Sequence, residues 1–114
     1  MQSLDATFSA LSDPTRRAIL SRLAMGEATV MELAHPFSMS QPAISRHLRV
    51  LEEAGLIARR VEGAKRPCRL APGGIAEIDH WLGLLRKALE TNYARLDKVL
   101  ESQSKKAKGT KDNP

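Results

Sequence analysis

The chain carries a single cysteine, Cys68, among 114 residues. One thiol excludes an internal disulfide and any multi-cysteine metal cluster within one chain, and it fits a reduced, intracellular setting. Histidine is scarce too: His35, His47 and His80 stand apart, without the partners that a catalytic constellation needs. A glycine-rich phosphate loop and a serine elbow are both missing, so an enzyme is not expected. No apolar run approaches the roughly 18 residues of a membrane-spanning helix, and the N-terminal MQSLDATFSA has neither the charged start nor the apolar core of a signal peptide. A soluble, cytoplasmic protein without a membrane partner is the expectation. There is no internal repeat, and the only low-complexity stretch is the lysine-containing C-terminus.

Apolar residues make up 42% of the chain, enough for one compact core and too few residues for two. A net charge of +5 and a pI near 9.8 suit a polyanionic partner. Part of that charge lies in SQSKKAKGTKDNP at the C-terminus, where four lysines face one aspartate. Residues 103–114 accordingly read as a disordered tail and residues 1–102 as the folded domain. Residues 40–70 hold a second basic region: Arg46, Arg49, Arg59, Arg60, Lys65, Arg66 and Arg69 against Glu52, Glu53 and Glu62.

In chain order, Leu4, Phe8 and Leu11 predict a short N-terminal helix ending near Ser12. Asp13 is a good N-cap and Pro14 a good first helical residue, so a second helix runs from Pro14 to about Met25, burying Ile19, Leu20 and Leu23, with Gly26 closing it. Thr29-Val30-Met31-Glu32 has capping-box spacing and opens a third, short helix that stops before Pro36. Five residues, His35 to Met39, then lead to Ser40.

Ser40 to Gly55 reads as a helix with a cap at each end: Ser40 takes a first-turn amide, Pro42 sits where a missing N–H costs little, and Gly55 closes. Ile44, Leu48 and Leu51 face a core. The other face carries Gln41, Ser45, Arg46 and Arg49, groups suited to base edges and phosphates, although an ordinary solvated helix face has the same look. Helix, turn and helix in this order make a helix-turn-helix. Leu56–Glu62 and Arg66–Leu70 then flank Gly63-Ala64-Lys65 as a β-hairpin, with the Pro67 strand at an edge. A basic hairpin at this place is a wing; alone it would be a surface hairpin.

Pro72-Gly73-Gly74 breaks the chain before its longest helix, from Ile75 to about Gln103 and roughly 40 Å long at 1.5 Å per residue. Ile78, Leu82, Leu85, Leu89, Leu96 and Val99 alternate by three and four with Asn92 in the series, which is a coiled-coil seam. Trp81, Ala88, Tyr93 and Leu100 widen it. A domain this small cannot cover such a helix, so a homodimer is expected.

FSALSDPTRRAILSRLA, the MELA segment, SQPAISRHLRVLEEAGLI and RRVEGAKRPCRL together resemble the ArsR family of bacterial winged-helix transcriptional regulators, over residues 4–100. The resemblance implies a mainly α fold with a small β-hairpin, a winged helix-turn-helix whose N- and C-terminal helices form a dimer interface. It implies a homodimeric repressor on double-stranded operator DNA. Carried over by position, Ser40, Gln41, Pro42, Ser45, Arg46 and Arg49 are recognition-helix residues, and Arg60, Lys65 and Arg66 are wing contacts. Leu4, Phe8, Ile78, Leu82, Leu85, Leu89 and Leu96 are the expected dimer interface. A winged-helix protein-interaction module without specific DNA binding is the alternative.

The chain departs from the metal-sensing members. The third helix reads Met31-Glu32-Leu33-Ala34-His35 where those members need cysteines. On the last helix Asp79 adjoins His80 and no histidine follows, so neither metal site is expected and no cofactor is implied. The non-metal members are the better match, and for them the resemblance gives no transferable effector; a small-molecule effector stays open. His47 is expected in a core or capping role. His80 is a structural or surface group, or a sensor of pH or ligand beside Trp81. Cys68 is a small core residue or a redox switch.

Overall fold

In the computed structural model, which describes the backbone of residues 3–110 and side chains through residue 103, each of the first four helices starts where a short polar side chain takes a first-turn amide. Helix α1 spans Leu4–Leu11, and the Ser3 hydroxyl accepts from the Ala6 amide at 3.2 Å. Helix α2 spans Pro14–Leu23 behind Asp13, whose carboxylate accepts from the Arg16 amide at 3.0 Å. Helix α3, Val30–Ala34, carries the full capping box: the Glu32 amide donates to the Thr29 hydroxyl and the Thr29 amide to the Glu32 carboxylate. Helix α4 spans Gln41–Glu53 behind Ser40, whose hydroxyl accepts from the Ala43 amide at 3.3 Å.

Helix α3 stops before Pro36 as expected, while the end of α2 differs. Helix α2 stops at Leu23 rather than Met25, and Ala24 to Gly26 form the turn, with Gly26 at φ 142°. Beyond the end of α3, Pro36 does not leave an irregular loop. It sits inside a 3-10 turn, His35–Phe37, where its missing N–H leaves no bond unmade. Ser38 follows in the left-handed region, at φ 52° and ψ 33°, and turns the chain from α3 into α4.

Ile19, Leu33, Ile44, Leu48, Leu51 and Leu56 are fully buried and form the centre of the core. Each is worth about 1.5–3 kcal/mol of transfer free energy. Three come from one face of α4, so the core holds this helix by its back. Thr7 is the buried polar residue, and its hydroxyl donates to the Ser3 carbonyl at 3.0 Å and lies 3.4 Å from the Ala54 carbonyl at the end of α4. That end collects further bonds: the Ala71 amide donates to the Leu56 carbonyl at 3.0 Å, and the Gly74 amide to the Gly55 carbonyl at 2.9 Å.

The hairpin pairs β1, Ile57–Arg59, with β2, Cys68–Leu70, in antiparallel register with Arg59 opposite Cys68. Both strands are shorter than Leu56–Glu62 and Arg66–Leu70. The register itself continues to the Glu62–Lys65 bridge, but Pro67 has no amide to donate, so opposite Arg60 only its carbonyl takes part, at 3.1 Å. The turn is tighter than three residues: Glu62 and Lys65 exchange backbone bonds around Gly63-Ala64, with Gly63 at φ 60°. The outer side of β2 is not an open edge, because Cys68 exchanges two backbone bonds with Ala28.

Helix α5 runs Pro72–Thr110. Pro72-Gly73-Gly74, expected to break the chain, is instead its first turn, since proline is tolerated there and Gly74 is buried against α4's end. The helix also passes Gln103, so residues 103–110, read as tail, are helical backbone; residues 111–114 lie outside the described residues. The chain forms two compact units, one through Asp79 and one from His80. Among the described residues, no helix is long and apolar enough to cross a membrane.

Candidate nucleic-acid interface

Successive residues of α4 are turned by about 100°. With Ile44, Leu48 and Leu51 in the core, the outermost line is Pro42, Arg46, Arg49 and Glu53, all exposed. Neither Arg46 nor Arg49 makes a hydrogen bond or ion pair among the described residues. Two cations thus stand unneutralised on the protruding face of a rigid helix, each with five donors in a planar fork. Gln41 and Ser45 lie to one side of that line. They look into an open hollow of about 560 Å³, whose other walls are Thr29 to Glu32 of α3 and Ala64, Lys65 and Arg66 of the wing tip. Ser40 spends its acceptor capacity on the helix cap, and Pro42 offers only surface.

The wing divides the expected contacts. Lys65 is exposed and makes no side-chain hydrogen bond or ion pair among the described residues. Arg60 is engaged: its guanidinium donates to Glu27 at 2.5 Å and to Glu62 at 2.8 Å, which raises its pKa, Glu27 contributing most. Arg60 therefore ties the wing to the turn after α2. Arg66 curls over the tip, donating to the carbonyls of Lys65 at 3.1 Å and Gly63 at 3.3 Å. Arg59 is likewise paired, with Glu52 on α4 at 2.8 Å, and holds the wing base to the recognition helix.

Sequence reasoning did not assign work to Arg16 and Arg17. Arg16 donates from Nε to the Ala10 carbonyl at 2.7 Å and from Nη2 to the Ser9 carbonyl at 3.0 Å, while Nη1 lies 3.3 Å from Nδ1 of His47. Arg17 donates to the Leu11 carbonyl at 2.8 Å. Both close the open carbonyl end of α1, and Arg16 braces α4 as well. The signal was present in DPTRR: a cap residue followed by paired cations one turn beyond a helix end. His47 is half-buried in this brace, with Asp13 at 4.0 Å. The Asp13 carboxyl titrates below its ordinary value, chiefly because the Arg16 amide donates to it.

Leu4 is half-buried on α1 and Phe8 is 40% exposed. Ile78 is half-buried near the end of the first unit. In the second unit Leu82, Leu85, Leu89 and Leu96 form an exposed apolar row on α5, with Leu89 51% and Leu96 52% exposed. Cys68 is fully buried as a small core residue, its thiol donating to the Arg66 carbonyl at 3.7 Å, and burial pushes its pKa up. His80 is exposed. Among the described residues no group of three histidine, cysteine or acidic side chains is placed to hold a metal ion.

Comparisons with known proteins agree with this geometry. The family model described as "Bacterial regulatory protein, arsR family" matches residues 13–59. The HTH-type transcriptional regulator Rv2034 of Mycobacterium tuberculosis is 42% identical over 95 residues, covering 83% of this chain and 89% of the relative. The transcriptional repressor SdpR of Bacillus subtilis is 42% identical over 60 residues, 53% of this chain and 67% of the relative. The homodimeric winged helix-turn-helix DNA-binding domain of Mb0332 from Mycobacterium bovis, solved by NMR, superposes with a TM-score of 0.59 at 28% identity, covering 73% of this chain and 77% of that one.

Proposed function

Because the chain belongs to the ArsR family of bacterial transcriptional regulators, we propose that it acts as a homodimeric repressor that reads an imperfect palindrome in promoter DNA through α4 and the wing. The observation that carries this is the pair of unpaired guanidiniums, Arg46 and Arg49, on the outermost line of a helix whose back is locked in the core. Gln41 and Ser45 beside them supply donors and acceptors for base edges, and Lys65 supplies a phosphate contact. Two copies related by a two-fold axis present two such helices to successive major grooves, about 10 base pairs apart. Occupancy of a promoter then excludes polymerase.

In the second unit the apolar row of α5 is the pairing surface, and in the first unit Leu4, Phe8 and Ile78 are the pairing residues. We place the protein in the cytoplasm as a binding protein rather than an enzyme, because its outward groups are donors and charges suited to DNA. The test is fluorescence anisotropy on a duplex from the chain's own upstream region beside a scrambled duplex, at two salt concentrations. A preference of about 10³-fold for the upstream duplex is expected. Equal, weak and equally salt-sensitive binding to both would leave the basic face as a nonspecific polyanion surface and move a protein-interaction role ahead.

A further inference from the structure

We propose that Met31 is a DNA-contacting residue, packing against the deoxyribose of an operator strand whose phosphate Lys65 holds at the wing tip. This rests on the operator-binding reading above. Its basis is that Met31 and Lys65 line the same open hollow as Gln41 and Ser45 of the recognition helix. Met31 is 69% exposed on a five-residue helix whose Leu33 is fully buried. Those two residues are about 200° apart around the helix, so a core contact for one turns the other outward, toward whatever fills the hollow.

Glu32 decides which part of a nucleotide lies there. It lines the same hollow, and the Thr29 amide donates to its carboxylate at 2.8 Å, which with the Thr29 hydroxyl holds its pKa below the ordinary value. It is therefore anionic at neutral pH and repels phosphate from the α3 wall. Lys65, which makes no side-chain hydrogen bond or ion pair among the described residues but lies near enough to Glu32 to help lower its pKa, draws phosphate toward the wing tip. What then faces α3 is the carbon edge of the sugar, and a flexible thioether fits such a surface well. Val30 continues the apolar floor.

The experiment compares wild type, Met31→Ala and Lys65→Ala by anisotropy on the upstream and scrambled duplexes at two salt concentrations. Met31→Ala is expected to bind both duplexes about fivefold more weakly with an unchanged salt dependence, because an apolar contact releases no counterions. Lys65→Ala is expected to weaken both and to flatten the salt slope. As a second readout, Met31→Cys is alkylated with iodoacetamide, against little background from the buried Cys68. Saturating upstream duplex should slow that alkylation about tenfold or more. Loss of the wild-type preference for the upstream duplex would overturn the operator reading and this contact together. A wild type that discriminates, beside Met31→Ala at wild-type affinity or Met31→Cys alkylated at an unchanged rate, overturns the Met31 contact alone.

Discussion

Arginines that look alike in sequence have different work here, and the difference is their partners. Among the described residues Arg46 and Arg49 make no hydrogen bond or ion pair, Arg60 is shared between Glu27 and Glu62, and Arg16 is spent on the carbonyls of α1 and on His47. Arg46→Ala is expected to cost about 1–3 kcal/mol of binding and relax the preference at one base, as read by anisotropy on single-base operator variants. Lys65→Ala should weaken all duplexes alike, lowering the salt slope by about 0.9, while Arg60→Ala lowers it less because its charge is already neutralised. Arg16→Ala removes charge-assisted bonds to two carbonyls. It should lower stability by about 2 kcal/mol, measured from the urea midpoint. A variant with an unchanged midpoint would mean that water replaces the guanidinium at no net cost.

At the scale of elements, the joints matter more than the helices. A Cβ on Gly74 would lie 2.6 Å from the Ala54 carbonyl oxygen and 2.9 Å from Cδ2 of Leu56, and the first of these is backbone that cannot swing aside. Gly74→Ala should therefore destabilise by about 1–3 kcal/mol in chemical denaturation, against the gain in helix propensity that alanine normally brings. The α3 capping box adds a pH dependence. Its bond from the Thr29 amide depresses the Glu32 pKa below 4.5, so the folded state favours the ionised carboxylate. That stability is present at neutral pH and is lost as pH falls below about 4.5 and through the folded pKa. Urea midpoints should show Glu32→Gln less stable than wild type at pH 7, with the gap narrowing as pH falls below about 4.5; a gap that is constant with pH would remove the cap charge from the account. These joints also mark what was legible in advance. Polar caps and apolar spacing put the starts of α2 to α4 and the buried trio of α4 within reach, because both act within a few residues. The 3-10 turn through Pro36 and the helical Pro72-Gly73-Gly74 were not legible. The second depends on a distant backbone group, the Gly55 carbonyl that receives the Gly74 amide.

For the whole molecule, α5 is the element that one copy of the chain does not use up. Its 39 residues extend about 58 Å at 1.5 Å per residue, and apolar side chains stay exposed along its second half. Under the proposed pairing, a second copy covers that row. Leu89→Glu should shift the mass by light scattering from a dimer to the 12.5 kDa monomer and reduce operator affinity steeply, since each half-site is then bound alone. A dimer that survives this change places the seam elsewhere. The exposed apolar row was readable from spacing because a long helix repeats its pattern. The division of wing cations into free and engaged was not, because it depends on which carboxylates the fold brings near: Glu27 is 33 residues before Arg60 in the chain.

The convergence of bonds at Ala54 to Leu56 has a mechanical side. Helix α4 is anchored there by α1, by the residue after β2 and by the first turn of α5, while its recognition end at Gln41 lies about 20 Å away along the axis. It is a lever with its fulcrum at the C-terminal end, and Arg16 bears on it through His47 halfway along. A tilt of about 3° at the fulcrum moves Gln41 by about 1 Å, enough to carry a hydrogen bond out of range. Whatever shifts α1 or the start of α5 by a fraction of an ångström therefore acts on DNA reading with a built-in gain, and no residue of the interface has to be touched.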